Sequence, residues 1–179
     1  IVSLRRLDEV ISAVGREVQN GAKVFWVCPL VEESEMIDLA AAEERHADLK
    51  ARFGEGVELI HGRMKGPEKD AAMEKFAFGS ATIMVATTVI EVGVDVPDAT
   101  LMIIEHAERF GLAQLHQLRG RVGRGDRPSS CLLLYAPPLG ANARARLSIL
   151  RETEDGFRIA EEDLRLRGAG ELLGTKQSG

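Results

Sequence analysis

Cysteine is scarce in this sequence, and its placement argues against two kinds of site. Among 179 residues there are two cysteines, Cys28 and Cys131, which lie far apart within apolar stretches. Neither has a partner at the spacing of a disulfide framework or a metal site, so we expect two buried thiols that behave as small apolar residues. The histidines also lack metal-ligand spacing, and no metal site is expected at His46, His61, His106 or His116.

Long apolar runs are lacking as well. No stretch approaches the ~20 apolar residues that a membrane-spanning helix needs. The first ten residues, IVSLRRLDEV, carry charges where a signal peptide needs an apolar run. These absences predict a cytoplasmic protein with no membrane partner.

Net positive charge is the third feature that the sequence lacks. The formal net charge is -5, which argues against a protein that coats nucleic acid with a wholly basic surface. The charge is uneven, however, because residues 32–55 carry eight acidic side chains against three basic ones, whereas residues 114–151 carry seven arginines against Asp126 alone. If the protein binds a polyanion, we expect the second segment to bind it.

Short apolar runs alternate with amphipathic segments along most of the chain. The runs have the composition of strands buried on both faces, and they occupy residues 23–28, 57–60, 82–87, 100–104 and 130–135. Helical patterns lie between them, for example at residues 34–53 and 67–78. This alternation indicates a doubly wound α/β domain with a parallel sheet, which we expect to span residues 1–136.

The strand signals stop after Pro137 and Pro138. Residues 142–151 and 157–166 have helical patterns joined at Asp155-Gly156, and Gly168 lies where a helix C-terminus favours glycine. We therefore expect residues 137–179 to form a helical hairpin followed by a loop.

The run QLHQLRGRVGRG, residues 114–125, is the most informative in the chain. On one helix, Gln117, Arg121 and Arg124 fall at positions i, i+4 and i+7 and share a face. Two arginines on one side repel each other unless an anion lies between them, and planar guanidinium groups suit phosphate oxygens. Gly120 and Gly123 cost about 1 kcal/mol each in a helix but allow a ligand to approach closely. A phosphate site is the favoured interpretation, and a solvated basic helix is the alternative.

Two further runs leave alternatives open. In VATTVIEVGVDVP, residues 85–97, Thr87 and Thr88 lie where a buried strand ends, which is the usual ligand edge of a parallel sheet. The pattern fits either a phosphate-binding turn or an ordinary helix cap. The last run, EEDLRLRGAGELLGTKQSG at residues 161–179, is either a well-capped helix end or a loop rich in hydrogen-bonding groups.

Together these runs resemble superfamily 2 helicases and, among them, the RecG family of branched-DNA helicases. The positions Gln117, Gly120, Arg121, Gly123 and Arg124 fill every fixed place in Q-x-x-G-R-x-G-R, the motif that closes the ATP site in that superfamily. The resemblance implies a RecA-like fold in which Gln117, Arg121 and Arg124 bind the nucleotide, with Arg124 as the arginine finger.

A second motif of the same superfamily has the form A-T-x-x-x-x-x-G-x-D. Its match here implies that Thr87 and Thr88 bind DNA, while Gly93 and Asp95 lie on the nucleotide side. The turn HGRM after residue 60 looks like the HGxM turn of the same lobe, although a histidine before a glycine turn also serves as a local hydrogen-bonding residue.

The C-terminal run resembles the translocation motif shared by RecG and the transcription-repair coupling factor. In that motif a helical hairpin and the following loop convert ATP-driven lobe closure into movement along duplex DNA, and the matching positions are Arg146, Arg167 and Gln177. The segments VCPLVEESE and GRVGRGDRP are closer to RecG, so the coupling factor is the alternative. A catalytically inactive α/β domain that binds partners through its acidic first half and hairpin is a third interpretation.

The sequence departs from the family in one respect: it has no G-x-x-x-x-G-K-[ST] loop. The resemblance therefore implies that a first motor lobe and a wedge domain lie upstream, and that ATP with Mg²⁺ binds in a site shared with that lobe. This chain supplies no metal ligand and is expected to be inactive alone. The intact protein is expected to be a monomer that acts on branched duplex DNA at the nucleoid.

Overall fold

A computed structural model describes residues 1–29, 35–87, 99–120 and 129–170 of the chain, with the side chains of Glu35 and residues 167–170 outside the description. The described part contains a six-stranded sheet in the order β1-β6-β5-β2-β4-β3, in which every pairing is parallel. The strands are β1 (Val2–Ser3), β2 (Lys23–Cys28), β3 (Val57–Ile60), β4 (Ile83–Thr87), β5 (Ala99–Ile104) and β6 (Ser130–Tyr135). The predicted parallel, doubly wound sheet is confirmed.

Helices cover both faces of this sheet. They are α1 (Leu7–Gln19), α2 (Glu35–Phe53), α3 (Gly66–Ala77), α4 (Leu112–Arg119), α5 (Ala141–Glu152) and α6 (Gly156–Gly170). Helices α1 and α2 pack on the side chains of one face, such as Trp26, whereas α3 to α6 pack on the other, which includes Phe25. Because alternate residues of a strand point to opposite faces, burial on both sides explains why the central strands are apolar throughout.

Three boundaries differ from the sequence-based expectation. The sequence-based expectation did not include β1, because Val2–Ser3 is too short for a periodic pattern. Helix α4 ends at Arg119, with Gly120 as its C-cap, while Arg121 and Arg124 of the expected helix face lie outside the described residues. Helix α6 continues through Gly168 to Gly170, because glycine in a helix costs only about 1 kcal/mol and does not oblige the helix to end.

The two helices of the hairpin pack on α4 rather than standing apart from the sheet domain. Leu147, Leu150 and Ile159 belong to the same buried cluster as Leu115 and Leu118 of α4. The boundary between residues 136 and 137 therefore separates two patterns of secondary structure, and its role as a domain boundary stays a prediction. Among the described helices, none is long and apolar enough to cross a membrane.

Candidate functional site

The carboxyl ends of three adjacent strands place Thr87, Cys28 and Glu105 side by side. Cys28 ends β2 and is in register with Thr87 of β4, while Val27 is in register with Ile104 of β5, so Glu105 follows next to Cys28. All three side chains are buried. This edge is where ligands bind in open parallel sheets, and polar groups buried there need either partners or a function.

Glu105 has its partners within the protein. Its carboxylate accepts hydrogen bonds from Nε of Arg45 at 3.1 Å, from Nε1 of Trp26 at 3.2 Å and from the thiol of Cys28 at 3.5 Å. Burial alone would raise the pKa of Glu105, but the hydrogen bonds and positive charge of Arg45, helped by the two other donors, hold that pKa below its usual value. Glu105 is therefore an ionised carboxylate in a buried, fully partnered site.

The same surroundings shift the pKa of the Cys28 thiol in the opposite direction, upward. Burial, followed by the negative charge of Glu105, raises the pKa of Cys28 well above its usual value. Burial likewise raises the pKa of Cys131 to about 11. Both cysteines are free thiols, Cys28 buried and Cys131 partly buried, in agreement with the sequence-based expectation for Cys28 and in part for Cys131.

A tight turn after Glu105 leads from β5 to α4. His106 adopts the left-handed conformation with φ of 53°, and a short 3-10 helix follows at Ala107–Arg109. The carboxylate of Glu108 accepts a hydrogen bond from the backbone N–H of Ala136, just after β6, at 3.0 Å. Glu108 thereby fastens the turn to the end of the neighbouring strand.

Helix α4 carries the first part of the predicted phosphate-binding run. Its leucines 112, 115 and 118 are buried, and Gln117 lies on the exposed side. The helix ends beside an open cleft of about 550 Å³ whose lining includes Arg119, Gly120 and Arg151. Gly120, the last described residue of this segment, therefore lies exposed beside a cleft that Arg119 and Arg151 line.

Two arginines connect α4 and its preceding turn to the hairpin. Nη2 of Arg146, on α5, donates to the backbone carbonyl of Glu108 at 3.0 Å. In the reverse direction, Arg119 at the end of α4 donates to the backbone carbonyl of Leu150 at 2.5 Å and to that of Thr153 at 3.1 Å. Arg146 is thus a contact residue between the hairpin and the turn, and its coupling role stays a prediction.

Thr87 is the other predicted site residue whose side chain is described. It is 1% exposed, and its hydroxyl has no hydrogen-bond partner in the part of the chain that the structure describes. A buried hydroxyl without a partner costs about 1–3 kcal/mol. Nearby, Nδ1 of His61 accepts a hydrogen bond from the backbone N–H of Arg63 at 3.2 Å, which is the local turn role that was weighed for this histidine.

The side chains of the remaining predicted site residues lie outside the description, so their roles stay predictions. Arg167 lies on α6, but its side chain is outside the description. The other positions lie outside the described residues altogether: Thr88, Gly93, Asp95, Arg121, Arg124 and Gln177. Within the described residues, no group of three or more histidine, cysteine or acidic side chains is placed to hold a metal ion.

Sequence reasoning did not single out Arg45, Glu105, Glu108 or Arg119. The signal available for Glu105 was a carboxylate directly after the apolar run TLMII, because such a residue continues a buried strand. Its partner Arg45 lies 60 positions earlier, and no spacing rule joins the two.

Two family models match the chain, one in each part. Residues 3–126 match the model of the helicase conserved C-terminal domain, and residues 153–179 match the model of ATP-dependent DNA helicase RecG, domain 3, C-terminal. The chain belongs to the helicase conserved C-terminal domain family. The chain is 61% identical over 175 residues to the ATP-dependent DNA helicase RecG of Acidithiobacillus ferridurans. This match covers 97% of the chain and 26% of that protein.

Solved structures agree with this assignment. The structure of RecG bound to a three-way DNA junction has a TM-score of 0.78 at 45% identity, and the match covers 98% of this chain and 22% of that chain. Dbp5 of S. cerevisiae bound to RNA and ADP BeF3 has a TM-score of 0.63 at 16% identity, over 94% of this chain and 43% of that one, and shows the fold alone. The resemblance to RecG is confirmed, while the chain spans about a quarter of the length of its RecG relatives.

Proposed function

We propose that the protein containing this chain is an ATP-dependent translocase on duplex DNA that remodels branched DNA, such as stalled forks and four-way junctions, in recombination and repair. The observation that carries the proposal is the similarity to RecG along 98% of the chain, including the hairpin, with 45% identity to a RecG bound to a three-way DNA junction. The attachment of that hairpin to α4 by Arg119, and to the turn before α4 by Arg146, supports it, because a motor must join its nucleotide site to the part that moves on DNA.

In this proposal the chain supplies half of a nucleotide site. Arg121 and Arg124 bind the ATP phosphates and Arg124 acts as the arginine finger, while Gln117, Gly93 and Asp95 complete this side. An arginine directed at a transferring phosphoryl group is worth about 10³- to 10⁵-fold in rate. Mg²⁺ would be held by the first motor lobe and by the nucleotide.

The remaining assignments concern DNA and its coupling to ATP. Thr87 and Thr88 bind the DNA backbone, and the coupling residues are Arg146, Arg167 and Gln177. We place the intact protein in the bacterial cytoplasm at the nucleoid, as a monomer with a first motor lobe and a wedge domain before this chain.

The test uses the full-length protein and the isolated chain side by side. The full-length protein should hydrolyse ATP when a three-way junction is added and should separate the strands of that junction, whereas the isolated chain should do neither. Replacement of Arg124 by alanine in the full-length protein should lower the DNA-stimulated kcat at least ~10³-fold. The matched control is Arg158→Ala, which removes an exposed arginine that pairs with Glu152 at 3.1 Å on the hairpin.

Two results would contradict the proposal. DNA-stimulated ATP hydrolysis by the isolated chain, abolished by Arg124→Ala, would show that the nucleotide site is not shared with another lobe. Displacement of a stalled RNA polymerase by the full-length protein, without activity on junctions, would favour the transcription-repair coupling factor instead.

A further inference from the structure

The end of α4 is joined to the tip of the hairpin by one side chain. Nη1 of Arg119 donates to the carbonyl of Leu150, and Nη2 donates to the carbonyl of Thr153. Nη2 also lies 3.3 Å from Nδ1 of His116, one turn earlier on α4, and this nitrogen accepts when it is unprotonated. The guanidinium of Arg119 thus spans the two carbonyls that close α5 while it stays anchored on its own helix.

The chemistry of this contact requires an arginine. The last carbonyls of a helix have no partner within the helix and carry partial negative charge, which a cation stabilises. Leu150 lies in the last turn of α5, and Thr153 follows its last residue. A planar fork with two separate N–H groups donates to both oxygens at once, whereas the single ammonium of lysine is a compact point charge.

Close packing surrounds the contact. A Cβ added to Gly156, the first residue of α6, would lie 3.3 Å from Nε2 of His116, so the hairpin tip touches α4 at this position. Buried side chains of both elements, among them Leu118 and Ile159, belong to one cluster beneath it. The tip of the hairpin and the end of α4 therefore share both a polar and an apolar contact.

We infer that Arg119 is a positioning residue that holds the hairpin tip against the end of α4, the helix that precedes the proposed nucleotide-binding arginines in the sequence. The inference rests on the proposed function and adds to it a residue outside the coupling set described above. Arg121 follows Arg119 by two residues, which a chain spans in about 7 Å. In the proposed function, a change at Arg121 on nucleotide binding would reach α5 through Gly120 and the guanidinium of Arg119.

A purely structural role for Arg119 makes a different prediction. If the side chain only caps α5, its loss lowers stability, and any surviving protein keeps the ratio of DNA movement to ATP consumed. If it positions the tip, its loss lowers that ratio, because hydrolysis continues while its effect on the hairpin weakens. The ratio separates the two roles independently of how much protein folds.

The experiment measures ATP hydrolysis and junction unwinding by the full-length protein on a three-way junction, with Arg119→Ala and Arg119→Lys. We expect Arg119→Ala to lower the number of junctions unwound per ATP about fivefold or more. The KM for ATP should stay within about twofold, because the guanidinium of Arg119 donates to two backbone carbonyls of the hairpin. Arg119→Lys should fall between wild type and alanine, and the control Arg158→Ala should match wild type.

A glycine pair provides a second measurement if Arg119→Ala fails to fold. Gly156→Ala places a methyl group against His116, whereas Gly140→Ala, before the first residue of α5, places one in open space. The first should lower the yield per ATP and the second should not. Equal yields for Gly156→Ala and Gly140→Ala, or a wild-type yield for Arg119→Ala, would overturn the inference. Failure of the wild-type protein to unwind the junction would instead refute the proposed function.

Discussion

The buried pair between Arg45 and Glu105 can be tested through the single tryptophan of the chain. The side chains of Arg45 and Glu105 are 15% and 9% exposed, and the pair is supported by a hydrogen bond from Trp26. The guanidinium carbon of Arg45 also lies 5.6 Å from the centre of the Trp26 ring, at the distance of a cation-π contact. Replacing Arg45 by methionine keeps most of the side-chain volume and leaves Glu105 as a buried charge without its cation.

Removal of one partner from a buried ion pair costs about 3–5 kcal/mol, because the remaining charge is not solvated. Glu105 keeps the donors of Trp26 and Cys28, so we expect Arg45→Met to lower the free energy of unfolding by about 3 kcal/mol at pH 7, the low end of that range. The double variant with Glu105→Gln should recover part of this loss, since it also removes the unpaired charge. Urea unfolding followed by Trp26 fluorescence measures each value.

The pH dependence of stability gives an independent check that Glu105 is ionised in the folded chain. The folded pKa of Glu105 is lowered, so its ionised form stabilises the wild-type chain above the ordinary pKa of 4.5, and this contribution is lost as the pH falls through the lowered value. In Arg45→Met, burial without the cation raises the folded pKa. The difference in stability between the two proteins should therefore be largest near neutral pH and shrink in acid.

A matched exposed pair defines the refuting result. Arg158 and Glu152 are 48% and 58% exposed, and loss of such a pair costs about 0–1 kcal/mol. If Arg45→Met cost no more than Arg158→Met, or if its cost grew on acidification, the description of Glu105 as a buried and ionised anchor would be wrong.

Two further predictions concern the thiols and the glycines. Because the pKa values of both cysteine thiols are raised, a thiol reagent such as DTNB at pH 8 should label Cys28 and Cys131 slowly in the folded chain. Both should be labelled rapidly in guanidinium chloride. Rapid labelling of the folded chain would contradict the described burial. A Cβ at Gly79 would lie 2.8 Å from a backbone carbonyl oxygen, whereas one at Gly66 meets nothing within 4 Å. In urea unfolding, Gly79→Ala should therefore lower the free energy of unfolding by about 1–3 kcal/mol, while Gly66→Ala should leave it unchanged or raise it slightly.

The strands were predictable from the sequence because their burial is continuous. Each interior strand of the sheet was located within one residue of its observed bounds, since burial on both faces leaves runs such as KVFWVC without polar interruptions. The ends of helices were less predictable. Gly120 and Gly168 have the same residue type, yet the first caps α4 and the second continues α6, so residue type alone does not set the end of a helix.

The candidate site was predictable only where a motif is contiguous in sequence. Thr87 was singled out because it ends an apolar run, and Arg146 because it matches a family position, and the roles assigned to both stay predictions. Arg119 lies inside the arginine run but off the helix face of Gln117, and its partners are backbone carbonyls 31 and 34 positions later. Backbone acceptors leave no trace in the identity of residues, so such a contact cannot be inferred from side-chain types.

The two arginine contacts of the hairpin are not equivalent. Arg146 bonds to the carbonyl of Glu108, whose own carboxylate is tied to the end of β6, so this contact fixes α5 to the sheet domain. Arg119 instead holds the tip of the hairpin next to the residues that precede Arg121. If α5 moves as one rigid body, force passes through both contacts in turn, and loss of either contact interrupts the transmission of force. The effects of Arg119→Ala and Arg146→Ala on junctions unwound per ATP should then be less than additive in free energy, whereas independent structural caps would add.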